Sequence, residues 1–201
     1  MRSRKTRVPP GKRAPKSGSL AAEAENLRAA LVAAQRRIKE LERRADEDAL
    51  VPLLNRRGFI RELERALAYA RRYGAKASLV YLDLDDFKLI NDTFGHAAGD
   101  KVLEGVARLL LDNVRSSDVV GRLGGDEFAI VLWNTEGAPA EAKVCALAGM
   151  IAAASFAAVK GKVKLTASHG VTALNANDTA DTALMRADNA MYAGKNATRR
   201  R

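Results

Sequence analysis

The stretch Gly124-Gly125-Asp126-Glu127-Phe128-Ala129-Ile130-Val131-Leu132-Trp133 sets two glycines directly before two adjacent carboxylates and an unbroken apolar run. Preceded by Val119-Val120-Gly121-Arg122-Leu123, it predicts two strands joined by a tight hairpin, because glycine reaches positive φ without steric cost. The turn admits close approach of a ligand to the backbone. Two ionised carboxylates about 4 Å apart repel by roughly 4 kcal/mol at an effective dielectric near 20, so a site that holds them together calls for a cation. An ordinary acidic hairpin turn satisfies the same ten residues taken alone.

A second acidic cluster lies upstream. Leu79-Val80-Tyr81-Leu82 reads as a buried strand, short, apolar and rich in strand formers, and runs directly into Asp83-Leu84-Asp85-Asp86. Acids at a strand's carboxyl end are well placed to ligate. The chain continues Phe87-Lys88-Leu89-Ile90-Asn91-Asp92-Thr93-Phe94-Gly95-His96-Ala97-Ala98-Gly99-Asp100. With the hairpin, these motifs make residues 48–199 resemble the GGDEF family of diguanylate cyclases, enzymes that make cyclic di-GMP from two GTP.

The composition sets bounds that the resemblance must respect. The net charge of +10 is concentrated in the tails: residues 1–16 hold seven Lys/Arg and no acid, and Arg199, Arg200 and Arg201 supply the rest. A neutral central region argues against a specific nucleic-acid surface on the folded part. The single cysteine, Cys145, sits in an apolar helical stretch and rules out a disulfide framework or cysteine metal cage. The sequence has neither a signal-peptide core nor a run long enough to span a bilayer, and the expected location is cytoplasmic.

Residues 1–18, with Pro9, Pro10 and Pro15 among basic residues, read as a disordered basic tail. Over residues 19–47, Leu20, Ala24, Leu27, Leu31, Ala34, Ile38, Leu41 and Ala45 recur at alternating spacings of four and three, the pattern of a coiled-coil dimerisation helix. A single amphipathic helix packed on its own domain is the alternative. Residues 48–201 form the expected catalytic domain. Its helices are expected over 61–73, 99–114, 139–159 and 180–192, with a further strand over 163–173. The interleaving is α+β, and the resemblance implies a ferredoxin-like palm, an antiparallel sheet with flanking helices as in adenylyl cyclases and polymerases. The segment Asp48 to Phe59 resembles the family's Leu-Thr-Gly-Leu and Asn-Arg-Arg motif, with Val51 and Pro52 in place of Thr and Gly. Pro52 cannot donate a backbone hydrogen bond, so an altered joint with the helix before it is expected.

The resemblance also implies roles. Asp83, Asp126 and the Leu84 carbonyl would hold Mg²⁺, or Mn²⁺, on the triphosphate, since hard oxygen donors suit that ion. Glu127 would complete the metal shell or act as general base. Asn91 and Asp100 match the guanine-reading pair. Phe87 and Lys88 would offer backbone N–H groups to phosphate, beside the Gly124-Gly125 turn. Lys195 and Arg199 match the phosphate-binding pair of the last helix, although Thr198 stands where the family has a glycine directly before that arginine. Arg115 and Asp118 match an Arg-x-x-Asp motif that binds product and inhibits. Asp85 and Asp86 read as solvated or helix-capping acids, and His96 as a structural hydrogen-bonding residue.

One site holds one GTP, while two phosphodiester bonds must form between two GTP molecules, so a homodimer through the coil is expected. Three other readings remain at this stage. A non-catalytic cyclic di-GMP receptor would bind through Arg115 and Asp118 and signal through the coiled coil. A DNA-binding zipper would require a continuous basic helix, which the prolines interrupt. A mixed or adenine dinucleotide product would show as competition by ATP.

Overall fold

A computed structural model of the chain describes residues 17–158 and 161–199. Residues 1–16 of the expected tail lie outside them. The chain divides between Arg44 and Ala45 into two units. The first is most of helix α1 (Ser17–Asp46), whose seam residues Leu20, Leu27, Leu31 and Ile38 are each more than half exposed. Among the described residues no helix is long and apolar enough to cross a membrane.

The second unit runs α2 (Arg56–Tyr73), β1 (Ala77–Leu84), α3 (Phe87–Phe94), α4 (His96–Asp112), β2 (Val119–Gly124), β3 (Glu127–Trp133), α5 (Ala138–Ala153), β4 (Phe156–Ala158), β5 (Gly161–Val163), β6 (Ala167–Ala173) and α6 (Ala180–Arg199). Four strands form one sheet in the order β2-β3-β1-β6, each neighbouring pair antiparallel, and β4 pairs with β5 in a separate ribbon. This is the antiparallel sheet with flanking helices that the palm resemblance implies.

Ala77 to Leu82 are all buried, an unbroken apolar run that makes sense once both faces of β1 are covered. Side chains alternate across a strand. Val80, Leu82 and Leu84 therefore join Phe128, Ile130 and Leu132 in the core shared with α4 and α5. Leu79 and Tyr81 join Ala129 and Val131 in the core shared with α2 and α6. Full burial of each large side chain contributes roughly 1.5–3 kcal/mol. The same alternation assigns Asp83 and Glu127 to the α2 and α6 side.

The segment leading into α2 is a closed turn. Asp48 Oδ1 accepts from the N–H groups of Leu50 and Val51 at 2.9 and 3.1 Å, and Asp48 N donates to the Leu53 carbonyl at 2.9 Å. The turn asks for no donor at Pro52, which is exposed, while Val51 and Leu53 on either side are buried. Asn55 then caps α2, accepting from Gly58 N at 3.0 Å.

Several expected boundaries move. α3 and the β4–β5 ribbon were not expected as separate elements, and the expected strand 163–173 divides into the end of β5 and all of β6. The helix expected to reach 159 stops at Ala153, and α6 continues past Tyr192 to Arg199.

Candidate active site

β1 and β3 bring the two acidic motifs together. Their register pairs Asp83 with Glu127, and Leu84 N donates to the Asp126 carbonyl at 3.2 Å. Asp126 stands at the tip of the hairpin after Gly124 (φ 155°) and Gly125 (φ 50°), both in the region that favours glycine, with open space where a β-carbon would project. Burial, with the Asp83 charge adding to it, pushes the Asp126 carboxyl above the usual carboxylate range, against the pull of its own backbone N–H. The Tyr81 hydroxyl faces the Glu127 carboxylate; burial first and this carboxylate second drive the phenol far above its ordinary value.

Lys195, on α6, closes the site from the other side. Its ammonium contacts Asp83 and lies 3.2 Å from Asp85. Burial works against the charged ammonium, but the hydrogen bonds to Asp83 and Asp85 outweigh it and raise its pKa. Asp85 corrects the expectation of a solvated acid. It accepts from Thr166 Oγ1 and Ser168 Oγ, each at 2.7 Å, and its N–H donates to the Thr166 carbonyl at 2.9 Å. Burial alone would raise the Asp85 carboxyl; the bonds from Thr166, Ser168 and Lys195 instead hold it below the usual range. Asp86 adopts a left-handed conformation (φ 56°) before α3 and makes no side-chain capping bond.

The remaining expected residues fall on two helices and an outlying turn. Phe87 and Lys88 open α3, where the first N–H groups of a helix have no intrahelical partner. Asn91, at its far end, is half-buried; Asp100, in the first turns of α4, is exposed. His96 begins α4 with an exposed side chain. Arg199 ends α6, its side chain outside the described residues. The Asp118 carboxylate is engaged by backbone: Arg115 N donates to one oxygen at 2.9 Å and Trp133 N to the other at 3.1 Å. The Arg115 side chain is exposed beside a depression that Asp118, Asn134, Thr135 and Lys143 also line.

Comparison with known proteins decides the family. A family model described as diguanylate cyclase, GGDEF domain, matches residues 45–201.

The chain belongs to the GGDEF family.

Among curated relatives, the GGDEF chain is 37% identical over 164 residues to diguanylate cyclase DgcP of Pseudomonas aeruginosa, a match covering 82% of this chain and 24% of that protein. It is 39% identical over 157 residues to diguanylate cyclase DosC of Escherichia coli, covering 77% and 34% respectively. The chain thus spans a quarter to a third of the length of these relatives. Among solved structures it superimposes with a TM-score of 0.78 and 27% identity on the coiled coil and GGDEF domain of DgcB from Caulobacter crescentus in complex with c-di-GMP, covering 89% of this chain and 95% of that one. The GGDEF domain of PA1120 from P. aeruginosa follows with a TM-score of 0.70 and 36% identity over 75% of this chain.

GGDEF diguanylate cyclases are nucleotidyltransferases that use a divalent metal. Among the described residues no three His, Cys, Asp or Glu side chains converge as a metal cage. The GGDEF site instead offers the paired carboxylates of Asp83 and Asp126, whose mutual repulsion a cation would relieve. Such a donor set fits an ion that keeps water and phosphate oxygens in its shell. Tyr81, Thr166 and Ser168 were missed in the sequence: a tyrosine in an apolar strand reads as core, and Thr166 and Ser168, just before and within β6, are remote in sequence from Asp85, the acid they serve.

Proposed function

We propose that the chain is a Mg²⁺-dependent diguanylate cyclase that works as a dimer. The observation carrying this reading is the register that pairs Asp83 with Glu127 and sets Asp126 and Lys195 around them. Asp83, Asp126 and the Leu84 carbonyl would hold Mg²⁺, or Mn²⁺, with Glu127 as a further ligand or as general base. When bound, the metal neutralises charge on the α-phosphate and lowers the cost of ionising the attacking 3′-hydroxyl.

The chain's own groups do the rest. Lys195, with Arg199, clamps the triphosphate, and the opening N–H groups of α3 at Phe87 and Lys88 cradle it beside the Gly124-Gly125 turn. Asn91 and Asp100 read guanine; the carboxylate accepts from N1–H and the 2-amino group, donors that adenine lacks at those positions. In each half-reaction the 3′-oxygen of one GTP bonds to the α-phosphorus of the other as the bond to the β-phosphate oxygen breaks. Two half-reactions release two pyrophosphates and one cyclic di-GMP.

Two sites must therefore face each other. The exposed seam Leu20, Leu27, Leu31 and Ile38 supports pairing of two copies through α1, which raises the effective concentration of one site at the other. Product feedback is assigned to Arg115, whose exposed guanidinium can fork onto a phosphate, with Asp118 fixing the turn that presents it.

Incubation of nucleotide-free protein with GTP and Mg²⁺, beside Asp126→Ala, tests the reading. Cyclic di-GMP from the unmutated chain alone supports it. No product, together with tight binding of added cyclic di-GMP, moves the chain to the class of receptors.

A further inference from the structure

Glycine inside a helix is costlier than alanine, because the unfolded chain loses more freedom and no side chain covers the backbone. Gly99 sits buried in the opening turns of α4. It needs no unusual backbone conformation, since it is absent from the positive-φ glycines. Its reason lies across the helix pair. A β-carbon at position 99 would lie 1.9 Å from Asn91 Oδ1, 3.0 Å from Asn91 Cγ and 3.1 Å from the tip of the Phe87 ring. The amide of Asn91 fills the space that any side chain at 99 would take.

We propose that Gly99 is a positioning residue for base selection: by lacking a side chain it fixes where the Asn91 amide lies next to Asp100, and so sharpens the preference for guanine. The proposal rests on the assignment of Asn91 and Asp100 as the guanine-reading pair. α3 and α4 are joined through Gly95 alone, so Asn91 and Asp100 lie on successive helices. An amide wedged over the bare backbone at Gly99 is held from α4, the helix that also carries Asp100. Asn91 is anchored in its backbone as well, its carbonyl accepting from Gly95 N at 2.8 Å.

The group that a β-carbon would meet first is the end of a flexible side chain, so alanine at 99 displaces the amide without breaking the helix. Gly99→Ala should therefore keep its melting temperature and turnover number while losing affinity for GTP roughly tenfold, the scale of one well-placed hydrogen bond. Its preference for GTP over ATP should shrink in parallel.

A double-mutant cycle with Asn91→Ala in the full chain tests this, reading both the binding of a non-hydrolysable GTP analogue by calorimetry and the KM and kcat for GTP. Gly99→Ala should weaken binding with Asn91 present and do nothing further to it once Asn91 is alanine, because the amide it would displace is gone. An Asn91→Ala variant that binds GTP as well as the unmutated chain overturns the guanine assignment and the proposal with it. A loss from Asn91→Ala, combined with a silent Gly99→Ala or with equal losses from Gly99→Ala in both backgrounds, overturns the proposal alone.

Discussion

Arg122 ties Asp48 to the β2–β3 hairpin: its Nη1 lies 3.1 Å from Asp48 Oδ1, while Nε and Nη2 donate to the Gly125 carbonyl at 3.0 and 2.8 Å. Both charged side chains are largely buried, at 15% and 17% exposure. The Asp48 carboxylate also closes the turn that leads into α2, so one guanidinium joins that turn to the residue preceding Asp126.

Arg122→Ala takes the counter-charge from a largely buried carboxylate and frees the Gly125 carbonyl. Loss of the pair should cost about 1–3 kcal/mol of stability, seen as a lower urea midpoint. Turnover should fall by more than a Tm-matched core variant such as Val106→Ala, because the hairpin tip is left unpinned.

Asp126→Asn separates stability from chemistry. Burial and the Asp83 charge hold the Asp126 carboxyl above its ordinary value, so its ionised form is destabilising in the free protein. The neutral amide should raise the melting temperature, while cyclic di-GMP synthesis disappears. Added Mg²⁺ should stabilise the parent more than the variant. A scanning-calorimetry comparison with and without the ion reads both effects.

Lys195 gives a pH dependence with a fixed sign. Its pKa is raised above the ordinary 10.5 by Asp83 and Asp85, so the folded state holds the proton more tightly than the unfolded chain. The stabilisation is complete below pH 10.5 and is lost as pH rises through the higher folded value. Lys195→Met should show a shallower alkaline decline in Tm than the parent.

Asp85→Ala removes one acceptor from Lys195 and orphans the hydroxyls of Thr166 and Ser168. It should raise the KM for GTP several-fold and lower stability by about 1–2 kcal/mol. Asp85→Asn should recover most of the stability, since the amide still meets a hydroxyl, yet leave KM raised. A KM–Tm comparison of the pair checks this.

Leu27→Lys and Leu31→Lys together place charge on the exposed seam of α1. Specific activity should then depend on protein concentration across the micromolar range, where the parent's stays constant. Sedimentation should move from dimer to monomer in step.

Much of the site was readable because its residues cluster in sequence. The Asp83 to Asp86 acids follow an apolar strand, and Asp126 and Glu127 follow two glycines. The strands of the hairpin came out within a residue or two for the same reason: their apolar runs are bounded by turn-forming glycines. The missed elements are those settled by distant partners. α3 spans only eight residues, and its apolar positions are interleaved with the polar ones that carry the ligand motif. The ribbon around Phe156 lies in an alanine-rich stretch with helical propensity, yet Phe156 turns into the core and packs against Gly105, where a β-carbon would lie 2.5 Å from its ring. Asp85 looked solvated because its partners are distant in sequence: Thr166 stands just before β6 and Ser168 on it.

The central place of β1 in the sheet bears on how quickly the chain becomes competent after synthesis. β1 must find β3, and then β6 from far along the chain, before Asp83, Asp126 and Lys195 share one neighbourhood. Pairings of such long sequence separation close late in folding. Recovered turnover after dilution from denaturant should therefore lag the return of helical circular dichroism, making enzymatic output a clock for the last step of sheet assembly.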